Sequence, residues 1–521
     1  MQRGNGVGRG SMMGRALWLS VRFCILMMLA FEISASAAVA LEMTSLKGIV
    51  VDEEGKPVGG VRVSSRHVEM DGTDLATTGD DGTFAIAMEL MMDGRIFGRL
   101  KAEAADGRLG FLAFIQKRSE PVRIVLKAPK SLAVQVKDRG GKPVAGASLA
   151  FIVPGTEIAE GMTDAEGWWR IKIPADAEKW EDSIPVWWVS AWKSGVGFDY
   201  AGFRQAPRGP LRPVPETLTL KLDGARRLRI KAVDLAGKPV AGIRVSPSVI
   251  QKAGYELGMI NAIPWGSRPI TQEDGVAVID WLPEALHGPL GFRTRSEDWH
   301  QAEHETRFDP ENPVDELVLT QLPVEELSGR VTHADGRPAA GIMVWAYARG
   351  SGTIGLDGNS RTDAEGRYRL RACSEQSYVI TASGDGLAAP YKAGVVLRAG
   401  KPVDGLDFVV GRGTQLRGRL TIGRDGRPVP EAFVTVSVDR GEIPEELRRK
   451  EDRIPRHVML HFWKQTEKDG TYEFLLGPGD YRLQGPKGVK PIEISIPVQD
   501  PPAEIIHDLR IPPPQQGDLK V

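Results

Sequence analysis

LKGIVVDEEGKPVGGVRVSS, residues 46–65, writes out a strand, a turn and a second strand. Leu46, Gly48 and Val50 fall on one face of the first strand, the period of a half-buried β segment. Acidic residues and Gly55 supply the turn, because glycine takes positive φ without a Cβ clash. Pro57 fixes φ and has no N–H, so the chain is expected to leave the sheet there. Gly60 then opens the next strand.

The phrase occurs five times. The other copies are LAVQVKDRGGKPVAGASLAF from Leu132, LRIKAVDLAGKPVAGIRVSP from Leu228, LSGRVTHADGRPAAGIMVWA from Leu327 and LRGRLTIGRDGRPVPEAFVTV from Leu416. The turn glycines Gly55, Gly141, Gly237, Gly336 and Gly426 are spaced by 86, 96, 99 and 90 residues, the size of one small sandwich. Gly146, Gly242 and Gly341 repeat the role of Gly60; Glu431 replaces glycine in the fifth copy, where a different turn is expected. A second phrase follows in each copy: TGDDGTFAI around Gly82, TDAEGWWRI around Gly167, QEDGVAVI around Gly275, TDAEGRYRL around Gly366 and EKDGTYEFL around Gly470. Acidic-Gly ahead of an aromatic or β-branched run is a hairpin signal. The full calcium loop with its distal Glu is absent, so these are read as turns. Each copy closes on a short strand: VRIVLK (122–127), LTLKL (218–222), LVLTQL (317–322), LDFVV (406–410) and HDLRI (507–511).

The fold expected is therefore all-β, about five tandem Ig-like sandwich modules. Their limits are 44–128, 129–222, 223–323, 324–411 and 412–513, with a polar tail at 514–521. Module three carries an insertion at 246–270 and module five one at 439–465, in which IPEELRRKEDR reads as a short charged helix. Loops on rigid scaffolds often carry function, though they also tolerate insertion.

The chain has 521 residues, too many for one core, and is 41% hydrophobic and 26% charged. Its 60 Gly and 36 Pro favour many turns over long helices. A net charge of −1 gives no electrostatic reason to expect nucleic acid or an anionic membrane as partner. Residues 1–40 read as a secretory signal: Arg3, Arg9, Arg15 and Arg22, then the apolar run Phe23–Phe31, then A-x-A sites at Ala35–Ala37 and Ala38–Ala40. The run is short for a membrane span, which needs about 20 residues, so no stable span is expected after cleavage. Cys24 lies in the signal with no lipobox before it, and Cys373 is then the sole cysteine, which excludes an intrachain disulfide. Localisation is expected to be exported: periplasmic, cell-surface or extracellular.

The two phrases resemble the carboxypeptidase regulatory-like domain. The hallmark G-x-V-x-D-x-x-G-x-P-[VL]-x-G-[AV]-x-V, then T-D-x-x-G-x-[FY], is met by Gly48, Val50, Asp52, Gly55, Pro57, Val58, Gly60, Val61, Val63, Asp81, Gly82 and Phe84. It is met again by Gly329, Val331, Gly336, Pro338, Gly341, Thr362, Asp363, Gly366 and Tyr368, and more loosely by copies two, three and five. The resemblance implies a transthyretin-like or starch-binding-like sandwich of about seven strands. It also implies a non-catalytic accessory role on exported proteins, in adhesion, carbohydrate binding or spacing. The related collagen-adhesin B-type repeats carry Lys–Asn isopeptide crosslinks. The closing strands here contain no Asn, so none are expected.

Three groups of residues are candidate sites. Module two holds Trp168, Trp169, Trp180, Trp187, Trp188 and Trp192, six of the twelve tryptophans. Neighbours in a strand point to opposite faces, so one of each adjacent pair is expected outward. Trp180, Trp187, Trp188 and Trp192 are then tentative ligand contacts, suited to stacking on sugars or packing on a partner; the alternative is that the surplus fills a seam between modules. His300, Glu303 and His304 match H-x-x-E-H, an inverted zincin pattern. That chemistry needs both His on one helical face and a distal ligand, whereas the repeat places them in a late strand or loop. His457 and His461 form a second weak metal pair with no third ligand evident. No catalytic residue and no cofactor is expected. The expected role is an envelope or extracellular structural or adhesive binding protein, with a polysaccharide or another envelope protein as partner. A pure spacer or docking scaffold, and a zinc hydrolase at His300, Glu303 and His304, are the alternatives.

Overall fold

The computed structural model describes residues 43–512 apart from 66–73, 90–94, 118–120, 154–155, 176–186, 203–211, 253–258, 261–262, 287–289, 303–305, 350–353, 424, 439–461 and 487. Among the described residues every regular element is a strand except one 3-10 turn at Trp265–Ser267. The segment read as a signal, the tail and the charged stretch expected to be helical in the module-five insertion lie outside them. No helix among them is long and apolar enough to cross a membrane. The chain divides into two compact units. The first holds Met43–Arg295 and Glu305–Thr320; the second holds Ser296–His304 and Gln321–Val521.

Every module follows one plan. Its opening strand lies at the centre of one sheet, antiparallel to the strand after the second phrase and parallel to the closing strand. In module one Met43–Val51 sits between Thr83–Glu89 and Val122–Val125; in module two Lys130–Asp138 sits between Trp168–Ile173 and Thr217–Leu222. Modules three and five repeat it with Ala225–Val233 and Thr414–Ile422 at the centre. In module four the opening strand is part of Glu316–His333: residues 324–330 pair with Arg367–Cys373, and 331–333 run parallel to the strand Phe408–Arg412. The closing strand of the third copy and the opening strand of the fourth, expected as separate elements, are thus one element. The second sheet starts at the strand after the Pro turn. It is four-stranded in modules one, two and five.

Alternation fills the space between the sheets. In module four Leu327 and Val331 face Ile342, Val344 and Ala346 across the core, with Tyr368, Leu370, Tyr378 and Ile380 around them. Gly329 is required because the closing strand passes too close for a side chain: a Cβ there would lie 2.5 Å from the Leu406 carbonyl oxygen. Tyr368, opposite Gly329 in register, covers the gap and donates its hydroxyl to that same carbonyl at 2.6 Å. Burial pushes the phenol pKa up, aided by the charges of Asp407 and Asp404.

The Pro turn is tighter than the sequence suggests. Lys56 N donates to Asp52 Oδ1 at 2.8 Å, Gly55 N to Asp52 O at 3.0 Å, and Val58 N returns to Val50 O at 3.0 Å. Pro57 bridges Val51 before the chain departs, so the chain leaves the sheet one step later than expected. Modules two, three and four close the same turn around Asp138, Asp234 and His333.

One threonine ties the two phrases together in all five modules. Thr362 Oγ1 donates to Ala339 O at 2.7 Å and accepts from Ile342 N at 2.9 Å. Thr78, Thr163, Thr271 and Thr466 make the same pair of bonds in their own copies. Each thus fixes the chain as it crosses from one sheet to the other.

Candidate functional site

The tryptophan cluster of module two is built on the strand Trp188–Lys193, which lies between Ser148–Val153 and Gly197–Gly202. Register sets its two faces. Val189 opposes Phe151 and Ala191 opposes Leu149, all buried within the module's own sandwich. Trp188, Ser190 and Trp192 point the other way, opposite Gly202, Tyr200 and Phe198 on the neighbouring strand. On sequence this outward face is a tentative ligand contact, with a seam between modules as the alternative. It is closed: Trp187, Trp188 and Trp192 are 2%, 6% and 7% exposed.

Module three packs on the strand Gly197–Gly202 that borders it. Phe198 packs on Trp281 of module three with ring centroids 5.6 Å apart, and Trp188 meets Tyr200 edge-on at 5.8 Å. Lys252, from the module-three insertion, reaches back over the Tyr200 ring at 5.1 Å. Its Nζ donates to Asp199 Oδ1 and to Tyr200 O, both at 2.6 Å. Ser194 Oγ donates to Asp280 Oδ2 at 2.5 Å, and Gly195 N to Asp280 O at 3.0 Å. At one corner Arg139 of module two bonds Asp223 and Glu284. Trp187 Nε1 donates to Arg212 O at 2.7 Å, which satisfies its buried N–H.

Trp187, Trp188 and Trp192, the tentative ligand contacts, are thus buried in this structure. Trp188 meets Tyr200 and Trp187 the Arg212 carbonyl, both within module two, while Phe198 and Tyr200 on the next strand meet module three. Trp169 sits inside the sandwich opposite Val134, and Trp168 is half-buried with Arg170 5.0 Å above its ring. Trp180 lies outside the described residues. The insertion at 246–270, singled out as a candidate functional loop, contributes Lys252 to this seam.

Modules four and five meet through the corresponding face. Trp345, Tyr347 and Val379, on the outer side of module four's second sheet, belong to the apolar cluster that holds module five's Leu416, Phe474 and Tyr481. Tyr391 stands edge-on to Tyr481 at 5.8 Å, and Gly413 N donates to Gly386 O at 2.9 Å. A Cβ on Gly477 would collide with the Ala389 carbonyl. These seam residues went unread in the sequence, because a half-buried aromatic on a strand looks the same whether the next module or solvent covers it.

The metal candidates gain no support. His300 lies in the strand Trp299–Gln301, antiparallel to residues 321–323, and its Nδ1 bonds Gln301 O at 2.9 Å. The zinc pattern needs a helix here, and His300 stands on a strand. Glu303, His304, His457 and His461 lie outside the described residues. No cluster of three metal-ligating side chains occurs among the described residues. The turn carboxylates are occupied by backbone: Asp164 Oδ1 accepts from Glu166 N and Trp168 N, and its pKa is lowered chiefly by the Trp168 N–H.

Comparison with known proteins places one module in a family. Residues 326–411 match the model of the carboxypeptidase regulatory-like domain, so the fourth module is a domain of that class. No curated protein matches the chain. Among solved structures, the Bacillus anthracis TIE protein is 11% identical over 79% of this chain and 71% of its own, with a TM-score of 0.17. Two B repeat units of the collagen binding protein of Staphylococcus aureus are 11% identical over 74% of this chain and all of theirs (100%), with a TM-score of 0.17. A streptococcal ancillary pilin is 9% identical over 74% and 99%, with a TM-score of 0.18. At these values the likeness assigns neither partner nor activity.

Proposed function

We propose that this chain is an exported, non-catalytic scaffold of the cell envelope or its exterior, a run of sandwich modules that spaces or docks other components. One observation carries the reading. The residues with most capacity for binding are withdrawn from solvent or used between modules: Trp187, Trp188 and Trp192 are buried, and Lys252 of the module-three insertion reaches back to Asp199 and Tyr200. A family of accessory domains at 326–411 and the signal-like start agree with it. The same observation favours spacing and protein docking over sugar stacking, which needs an open aromatic platform.

The test is binding of the purified chain to a polysaccharide panel and to its own cell envelope. Retention by envelope protein, with no polysaccharide bound, is expected. Saturable polysaccharide binding abolished by Trp187→Ala or Trp188→Ala would overturn the reading.

A further inference from the structure

We infer that modules two and three form one cooperative body, latched by Lys252, and that neither opens without the other. The inference deepens the scaffold reading and rests on it for its biological use, while its test reads coupling alone.

Phe198 and Tyr200, on the face they share with Trp188 and Trp192, form an aromatic surface on which module three packs. Such contiguous aromatic surface is uncommon on a free soluble domain. In this chain it is buried, and Phe198 and Tyr200 meet module three directly. Opening module three therefore uncovers module two. That shared area is the condition for nearest-neighbour coupling in tandem arrays.

Lys252 adds a directional lock. Its ammonium is about one-quarter exposed and the Asp199 carboxylate about one-eighth, at 25% and 12%, so water screens the pair only in part. The same ammonium holds the Tyr200 carbonyl and faces the Tyr200 ring, while Lys252 N donates to the Tyr200 hydroxyl at 3.2 Å. Asp199 is fixed from the other side by Lys221 N at 2.8 Å, from module two's closing strand. The lock thus runs from the module-three insertion through the seam strand into the other sheet of module two. A second charged contact between the modules joins Arg139 to Asp223 and Glu284.

The full chain is compared with Lys252→Met, which keeps the apolar stem and removes the charge, by hydrogen exchange read peptide by peptide. Exchange is expected to rise at least tenfold in Gly197–Gly202 and also in Lys130–Asp138, a strand with no contact to Lys252. The control Arg229→Met breaks the Arg229–Glu316 pair within module three and is expected to leave module two unchanged. Faster exchange confined to residues 197–202 and 249–252 would overturn the inference, as would a module three that opens while module two keeps its protection. Asp199→Asn supplies the second approach: it is expected to reproduce the Lys252→Met pattern, and the double variant to add less than the sum of the two. Full additivity would count against the latch.

Discussion

Glu431 holds a left-handed backbone, φ 56°, at the place where Gly60 and Gly341 hold φ 68° and 77°. Its N–H donates to Thr466 O at 2.9 Å, as Gly60 N does to Thr78 O and Gly341 N to Thr362 O. The sequence suggested a different turn in the fifth copy; the turn is the same, and glutamate bears its strain. A non-glycine residue in this region costs roughly 1–2 kcal/mol, and glycine loses part of that gain to its freer unfolded chain. Glu431→Gly is therefore expected to stabilise module five by about 0.5–1 kcal/mol, seen as a higher denaturation midpoint with unchanged slope. The substitution misled because a side chain at one position says little against four bonds that fix the turn. The bridging threonines show the converse. Thr271 and Thr466 stand just ahead of their acidic phrases, and a single hydroxyl beside a turn carries no sign of the two backbone groups it will join.

At the scale of the element, the turns were the most legible part of the sequence. Gly82, Gly167, Gly275, Gly366 and Gly470 all take positive φ, and a Cβ on Gly82 would lie 2.6 Å from the Val50 carbonyl oxygen. The acids beside them act through local bonds that any copy of the phrase can make. Asp363 accepts from Arg367 N and its side chain, and Asp81 and Asp469 accept from the hydroxyl and N–H of Thr83 and Thr471. Each of these carboxyls, and that of Asp164, is held below the ordinary value of 3.8 by those bonds. A lowered folded pKa means that folding favours the ionised form. The contribution is complete above 3.8 and is lost as pH falls through the lower folded value. Melting curves between about pH 5 and pH 3 should therefore show falling stability. Replacing Asp81, Asp164, Asp363 and Asp469 by Asn, which still accepts the turn bonds, should flatten that slope while costing little near neutrality.

At the scale of the molecule, the spacing of the phrases located five sandwiches, and short-range patterning located their inner faces. The outer faces were beyond its reach. Alternation tells which residues share a side of a strand, but not what covers them: Trp187 and Trp188 are both buried, Trp188 edge-on to Tyr200 and Trp187 donating to the Arg212 carbonyl. Pulling the chain from its ends tests this at the same scale. If modules two and three yield together, the chain lengthens there in one step of about 660 Å, at roughly 3.4 Å per residue. Two separate steps of about half that size are the outcome expected for independent beads.

The covered aromatic face also sets a problem of timing during synthesis. The ribosome completes module two about 100 residues before module three, an interval of about 5–20 seconds at ordinary elongation rates. Throughout that interval Phe198 and Tyr200 lack the module-three side chains that meet them. A nascent chain in this state is sticky, and it is most exposed to aggregation, or to capture by a holding chaperone, before module three folds. A truncation ending near residue 222 would make that transient surface permanent.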